Sequence, residues 1–382
     1  MYSQKMKFFE PSIFIKIREA ISSCKHPICD LSVGTPDMQP SKHIIDALLK
    51  SGADAESYKY ALADTSRLTE AAVEWYRRRF SVVLSGENVC GLIGSQDGLA
   101  HLPLMLLDPG DDVLIPNPGY PMFYTGARLA SANVLFTPLE EENGYLVDYD
   151  NIPPSVAHKV KMLIISYPSN PLGRLAPMEF FEKTVWFAKK YDIVVIHDNA
   201  YGELTFDGAV GGSFLEVKGG IDVGVEFNSL SKSYNLTGAR ISFMLGNRDI
   251  CSALARLKSN IDYGIFLPIQ SVAIAAITGP QDCVSGLRAE YQARRNALCG
   301  KLSEGGWNVK LPEGSMFVWA KLPDKYRDSL QFTLGLLDNT GVATVPGVSF
   351  GSLGEGYVRI GLVRPAEDLA LAAEKITGFI NG

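Results

Sequence analysis

The residues best equipped for chemistry lie in Ser229-Leu230-Ser231-Lys232-Ser233-Tyr234-Asn235-Leu236-Thr237-Gly238-Ala239-Arg240, directly after an apolar run beginning at Val223. A lysine amine condenses with an aldehyde only when it is kept out of water and partly deprotonated. Small hydroxyls on both sides of Lys232, and a guanidinium at Arg240, suit a phosphate. A nucleophilic amine beside a phosphate cup points to pyridoxal phosphate held as a Schiff base on Lys232. A lysine after a strand is ordinarily a surface residue; it is the combination that reverses this expectation.

Other residues complete the chemistry. Asp198 ends the run Ile193-Val194-Val195-Ile196-His197-Asp198. Beside such a cofactor it would keep the pyridine nitrogen protonated, so that the ring can take up carbanion electrons; the plainer reading is a helix cap. Asn170 and Tyr201 can donate to the ring phenolate oxygen, against the alternatives of a turn and a core aromatic. Ser95, Gln96, Ser229, Ser231 and Arg240 can cradle the phosphate. Ser95 and Gln96 stand where a helix predicted over 97–107 begins, and helix N-termini bind anions; an ordinary cap is the alternative for Ser95. Tyr120, in Pro118-Gly119-Tyr120-Pro121, can lie on the ring face or pack in the core. Arg359 sits between Val358 and Ile360 in an apolar strand and needs an anionic partner. That partner is a substrate carboxylate gripped in bidentate fashion or a structural salt bridge.

These groups need a scaffold. Short Val- and Ile-rich runs at 89–93, 113–115, 160–166, 193–197, 223–227 and 241–245 alternate with helical patterns such as 177–190. This reads as an α/β domain with a mostly parallel, buried sheet. In such sheets ligands bind beyond the carboxyl ends of the strands, where the candidate residues fall. After 279–280 the pattern changes to a helix over 283–304, strands at 316–322, 342–345 and 357–363, and a final helix over 365–379, a smaller α+β unit. The X-Pro bond Asn170-Pro171, and secondarily Asn117-Pro118, is expected cis.

A chain of 382 residues holds a large core and two domains. A net charge of −6 and a pI near 5.5 argue against nucleic acid as a partner. Arg77-Arg78-Arg79 reads as a solvated helix face. The six cysteines form no C-x-x-C pair, and reduced thiols fit a cytoplasmic protein. The five histidines show no metal-ligand spacing, so no metal is expected. No signal peptide and no membrane span are expected.

Taken together, Tyr167-Pro-Ser-Asn170-Pro171-Leu-Gly173, His197-Asp198-Asn-Ala-Tyr201 and the Lys232 segment resemble the class I/II aminotransferases of pyridoxal-phosphate fold type I. The similarity spans nearly the whole chain, from Leu31-Ser-Val-Gly34-Thr-Pro36-Asp37 to Pro346-Gly347 and Arg359. Gly94 to Pro103, Lys258 to Gly264 and Gly354 to Arg359 are most similar to the LL-diaminopimelate aminotransferase-like subgroup. The resemblance implies a mostly parallel seven-stranded sheet between helices in a large domain over 46–279. Residues 1–45 would then belong with a small domain over 280–382. It implies transfer of an amino group between an L-amino acid and a 2-keto acid, of aspartate, alanine or diaminopimelate type. Lys232, Asp198 and Tyr201 would be catalytic, and Gly34, Asn170 and Arg359 would hold substrate. It further implies a homodimer with shared active sites, in which a partner tyrosine reaches the phosphate. Tyr60 is the candidate, with Tyr58 as substitute. The family usually has glycine and then proline shortly after that tyrosine; here Ala61-Leu-Ala-Asp64-Thr-Ser-Arg67 follows, so the local loop must differ. Two rivals are a pyridoxal-phosphate β-lyase of the same fold and a regulatory protein that kept the fold without turnover. Arg18, Lys258 and Arg364 are candidates to bind a distal substrate carboxylate.

Overall fold

The computed structural model describes residues 2–9 and 13–382. Its strands, in chain order, are β1 (Cys29–Asp30), β2 (Val89–Leu92), β3 (Asp112–Asn117), β4 (Asn133–Pro138), β5 (Val160–Ser166), β6 (Val194–Asp198), β7 (Gly224–Ser229), β8 (Ser242–Gly246), β9 (Phe317–Lys321), β10 (Val342–Ala343), β11 (Val345–Pro346) and β12 (Tyr357–Gly361). Seven of them form one sheet in the order β2-β8-β7-β6-β5-β3-β4. β8 runs antiparallel to both neighbours, and the pairs among β3 to β7 are parallel.

The inner parallel strands β3, β5, β6 and β7 are buried and mostly apolar on both faces, because helices cover both. Successive side chains point to opposite sides. Leu163 and Val195 therefore join one core with Trp75 and Phe243, while Ile164 and Ile196 join another with Leu102 and Phe123. Each such fully buried aliphatic side chain contributes about 1.5–3 kcal/mol. Because β2, β3, β5, β6 and β7 share one direction, their carboxyl ends open onto one edge of the sheet.

A third core gathers Leu31, Met316, Val342, Ile360 and Leu369. There β9, β12 and β11 form an antiparallel sheet, and β1 pairs in parallel with β10. The helices Asp282–Glu304 and Ala366–Asn381 pack on this unit. Near the N-terminus, helix α1 (Ile13–Ser23) is amphipathic and buries Ile17.

Several expectations need correction. The run 342–345 is not one strand: Val342–Ala343 pairs with β1, and Val345–Pro346 pairs with β12. Strand β4 carried no clear sequence signal because it is an edge strand with one neighbour and half-exposed side chains. The helix expected at 97 starts at Ser95, and Gly94 is its cap residue. Arg77 is on a solvated face, paired with Glu74, but Arg79 turns inward and holds the buried Glu203 at 2.8 Å. The bonds Asn117-Pro118 and Asn170-Pro171 are cis, as is Tyr167-Pro168. None of the six cysteines is paired. Among the described residues no helix is long and apolar enough to cross a membrane.

Candidate active site

The strand ends converge on a cavity of about 770 Å³. Ser95 and Gln96 reach it from the loop after β2, and Tyr120 from the turn after β3. Asn170 follows β5, Asp198 and Tyr201 end and follow β6, and Ser229, Ser231 and Lys232 end and follow β7. Arg240 comes from the turn before β8, Gly34 from the segment after β1, and Arg359 from β12. Twelve of the thirteen expected site residues thus line one space. Tyr60 does not: it is 84% exposed and lies edge-on to Tyr263. Tyr58 is also outside, its hydroxyl donating to Gly52 O.

The amine of Lys232 donates to the carbonyl of Gly34 at 2.5 Å. Burial, with the like charges of Arg359 and Arg240, lowers its pKa to about 8, against the opposing pull of Asp198. The lysine therefore carries a usable fraction of free amine near neutral pH. The Asp198 carboxyl is pushed the other way by burial, to about 6, although His197, the Ala200 amide and Lys232 favour its ionised form. Asp198 caps no helix; its carboxylate accepts from Ala200 N at 3.3 Å.

Arg359 is fully enclosed. Its guanidinium lies over Phe317, 4.0 Å from the ring centroid, and over Phe350, at 5.0 Å. Nη1 donates to Asn170 Oδ1 at 3.1 Å and Nη2 to Ser32 O at 2.7 Å. Burial lowers its pKa to about 10, so it remains a cation. No carboxylate among the described residues pairs with it, and its buried Nε has no hydrogen-bond partner. A buried arginine without an anion is costly, so the structural salt bridge is not the arrangement found.

The cavity wall at the start of the helix Ser95–Leu106 shows the same incompleteness. Ser95 Oγ is buried without a partner. Gly94 has φ 76°, and a Cβ there would lie 2.2 Å from Arg240 Nη2. The glycine therefore leaves room for the guanidinium above the helix start. Among the described residues the side chain of Arg240 bonds only the carbonyl of Thr237, at 3.1 Å. Gln96 Nε2 donates to the Tyr120 hydroxyl at 2.7 Å, fixing that ring at the cavity wall. A dianionic phosphate, an aldehyde carbon and a basic ring nitrogen match this donor set, so the residues present fit pyridoxal phosphate.

Two features were not visible in the sequence, and one of its candidates for a distal carboxylate now has a place. Phe317 floors the cavity below Arg359 and touches Tyr201 edge-on. Helix α1 closes one side with Phe14, Ile17 and Ile21, a spacing of one helical face. On that same face, Arg18 lines the cavity without a carboxylate in ion-pair range among the described residues. Lys258 is otherwise engaged, with Nζ 2.5 Å from Asp97 and 2.7 Å from Asp262, and Arg364 is not on the wall. Asp97, His101 and Asp262 gather closely enough to suggest a cation site, but the Lys258 ammonium already supplies the positive charge. The loop after Tyr60 is pinned in its own way: the buried Asp64 carboxylate accepts from Gly91 N at 2.6 Å, and Ala61 O accepts from Gly264 N at 2.6 Å.

Comparison with known proteins agrees with this geometry. The family model for aminotransferase class I and II matches residues 26–376. An LL-diaminopimelate aminotransferase of Dehalococcoides mccartyi is 41% identical over 99% of this chain and 98% of its own length. Glutamate-pyruvate aminotransferase AlaC of Escherichia coli is 42% identical over 93% of this chain and 87% of its own. Substrate-bound BacF from Bacillus subtilis superposes with a TM-score of 0.96 at 34% identity, covering 99% of this chain and 98% of that one. A buried lysine of lowered pKa, buried donors left without partners among the described residues and this likeness over the full length agree: the chain belongs to the class I and II aminotransferases, enzymes that use pyridoxal phosphate to transfer amino groups.

Proposed function

We propose that the chain exchanges amino groups between 2-keto acids and amino acids whose side chains bear a second carboxylate. The observation carrying this is Arg18, a cation on the cavity wall with no carboxylate partner among the described residues, in addition to Arg359. Two relatives are named for glutamate and for diaminopimelate, each of which has two carboxylates. Asp30 also lines the cavity, with one oxygen held by Ser32. An acid there suits a side chain that also ends in an ammonium, as that of diaminopimelate does.

In this reading Ser95, Gln96, Ser229, Ser231 and Arg240 hold the phosphate, and Tyr120 covers the ring. Asp198 would keep a proton on the ring nitrogen, and Asn170 and Tyr201 would donate to the phenolate oxygen. Arg359, with Asn170 and the backbone at Gly34, grips the substrate α-carboxylate. Pyridoxal phosphate supplies the aldehyde that accepts the amino group and the ring that takes the electrons of the broken Cα–H bond. Lys232 Nζ, lining the same cavity, would serve as the general base that takes the proton from Cα. Arg359 and the phosphate donors together orient that bond, an entropic contribution made in advance.

The reading extends to assembly. The exposed apolar group Tyr58, Tyr60, Leu62, Tyr263 and Phe266 is the face of a homodimer, through which Tyr60 meets the partner's phosphate site. Residues 1–45 and 280–382 form the small domain, 46–279 the large one, and the protein works in the cytoplasm.

A donor panel tests the substrate class. Glutamate, LL-diaminopimelate and alanine are offered with 2-oxoglutarate and with pyruvate, to wild type and to Arg18→Gln. The variant should lose about 10- to 100-fold in kcat/KM for dicarboxylic partners and little for alanine with pyruvate. Equal losses across the panel would reject the role of Arg18. Release of pyruvate and ammonia without an acceptor would reject amino transfer in favour of a lyase.

A further inference from the structure

Behind the cavity lies a buried charge network that the reaction does not touch. His197 and Asp198 are consecutive on β6, so their side chains leave opposite faces of the sheet. Asp198 lines the cavity. His197 is completely buried on the other side, against the rings of Phe181 and Phe214. Directly across the ladder on β7 is Glu226, also completely buried.

The hydrogen bonds decide the charge of this pair. His197 Nδ1 is 2.7 Å from Glu226 Oε2, and Nε2 is 3.0 Å from Tyr167 O. A carboxylate and a carbonyl accept but do not donate, so each ring nitrogen must carry its own proton. Glu226 receives three further donors: the Tyr76 hydroxyl at 2.7 Å, the Ser213 hydroxyl at 2.9 Å and the Phe214 amide at 2.9 Å. Burial raises its carboxyl, but bonds from His197, Tyr76 and Ser213 outweigh that and leave it lowered, hence ionised.

A buried ion pair is a poor way to gain stability, since an apolar pair of similar volume serves as well or better. Its placement suggests another use. We propose that the His197–Glu226 pair positions an imidazolium behind Asp198, which holds that carboxylate in its ionised form. The inference rests on the reading of Asp198 as the group that meets the ring nitrogen. Without the imidazolium, a fully enclosed carboxyl has only Ala200 N and Lys232 in its favour. Tyr120 and Tyr201 also face Asp198, and both phenols are raised by burial and stay neutral. On the far side the charged neighbours are Glu216, Glu203 and Arg79, with Arg79 bound to Glu203. His197 is therefore the cation that acts on Asp198 from behind, and Glu226 is what obliges His197 to be a cation.

Two measurements on the full-length holoenzyme test this. In ¹⁵N-histidine NMR at pH 8, both ring nitrogens of His197 should be protonated; a singly protonated ring overturns the proposal outright, with no variant needed. In Glu226→Gln the ring can become neutral and keep both its bonds. The acid-side midpoint of pyridoxal phosphate affinity, followed by fluorescence quenching, should then rise by about one pH unit. His197→Gln should move it the same way. An unmoved midpoint in either variant, with native near-UV circular dichroism, overturns the proposal; where a variant fails to fold, the NMR result decides. Asp198→Asn should abolish this acid limb. If the limb persists there, it is not the Asp198 ionisation, and the reading of Asp198 falls rather than the charge state of the pair.

Discussion

Replacing Arg359 by lysine keeps the charge and removes the planar fork. The guanidinium commits Nη2 to Ser32 O and Nη1 to Asn170 Oδ1, leaves Nε without a partner, and lies over Phe317 and Phe350. Lysine offers one nitrogen in place of three, so it cannot keep those contacts and also grip a carboxylate with two parallel bonds. Losing one charge-assisted hydrogen bond costs about 1.5–3 kcal/mol. The weaker interaction with the two rings adds about 0.5–1 kcal/mol. A total of about 2–4 kcal/mol corresponds to a loss of about 30- to 700-fold in kcat/KM. The assay is the single-turnover half-reaction followed by stopped-flow absorbance, with an amino acid and with the matching amine that lacks the α-carboxylate. The amino acid should suffer the full loss, the amine less than about threefold, and cofactor affinity should hold. An equal loss for both compounds, or a loss of cofactor, would show that Arg359 supports the fold and not the substrate.

Other outcomes are expected. Burial raises the Asp198 carboxyl from 3.8 to about 6, so stability from its protonated form is present below the unfolded value and lost as pH rises through 6. Cofactor-free Asp198→Asn should therefore be more stable than wild type by about 1–3 kcal/mol at pH 7.5, with the advantage shrinking near pH 4 in urea titrations, while turnover is largely lost. Gly94→Ala should weaken pyridoxal phosphate binding and cost stability as well, because φ 76° strains any residue with a Cβ there and the new Cβ meets the mobile end of Arg240; unchanged affinity by equilibrium dialysis would remove Arg240 from the phosphate site. Sedimentation should find a dimer at working concentrations, and mixing Lys232→Ala with Tyr60→Ala protein should recover activity through hybrid sites; an active monomer refutes the shared site.

Local sequence determined much of this protein. The strand runs ending at Asp198 and Ser229 are legible because both faces of a central parallel strand are buried, which favours apolar residues at neighbouring positions, as in Val194-Val195-Ile196 and in Val225 and Phe227. The residues that follow those strands are legible too, since polar groups at the ends of five strands, β2, β3, β5, β6 and β7, have no role in a core. What the tertiary structure alone decided is how distant segments meet. Arg359 could be a salt-bridge member or a substrate clamp; only the fold shows that its neighbours are Phe317, Phe350, Asn170 and Ser32 rather than a carboxylate. Arg18 looked no different from any other helical arginine until packing set α1 against the cavity, whereas Lys258, an equal candidate by sequence, proved to be bound by Asp97 and Asp262. Edge strand β4 and the divided run 342–345 were hidden for a related reason: their pairing depends on which strand lies beside them, and periodicity along one segment carries no information about its neighbour. His197 and Glu226 lie far apart in the chain. Register between β6 and β7 makes them a pair, and that register is set by the whole sheet.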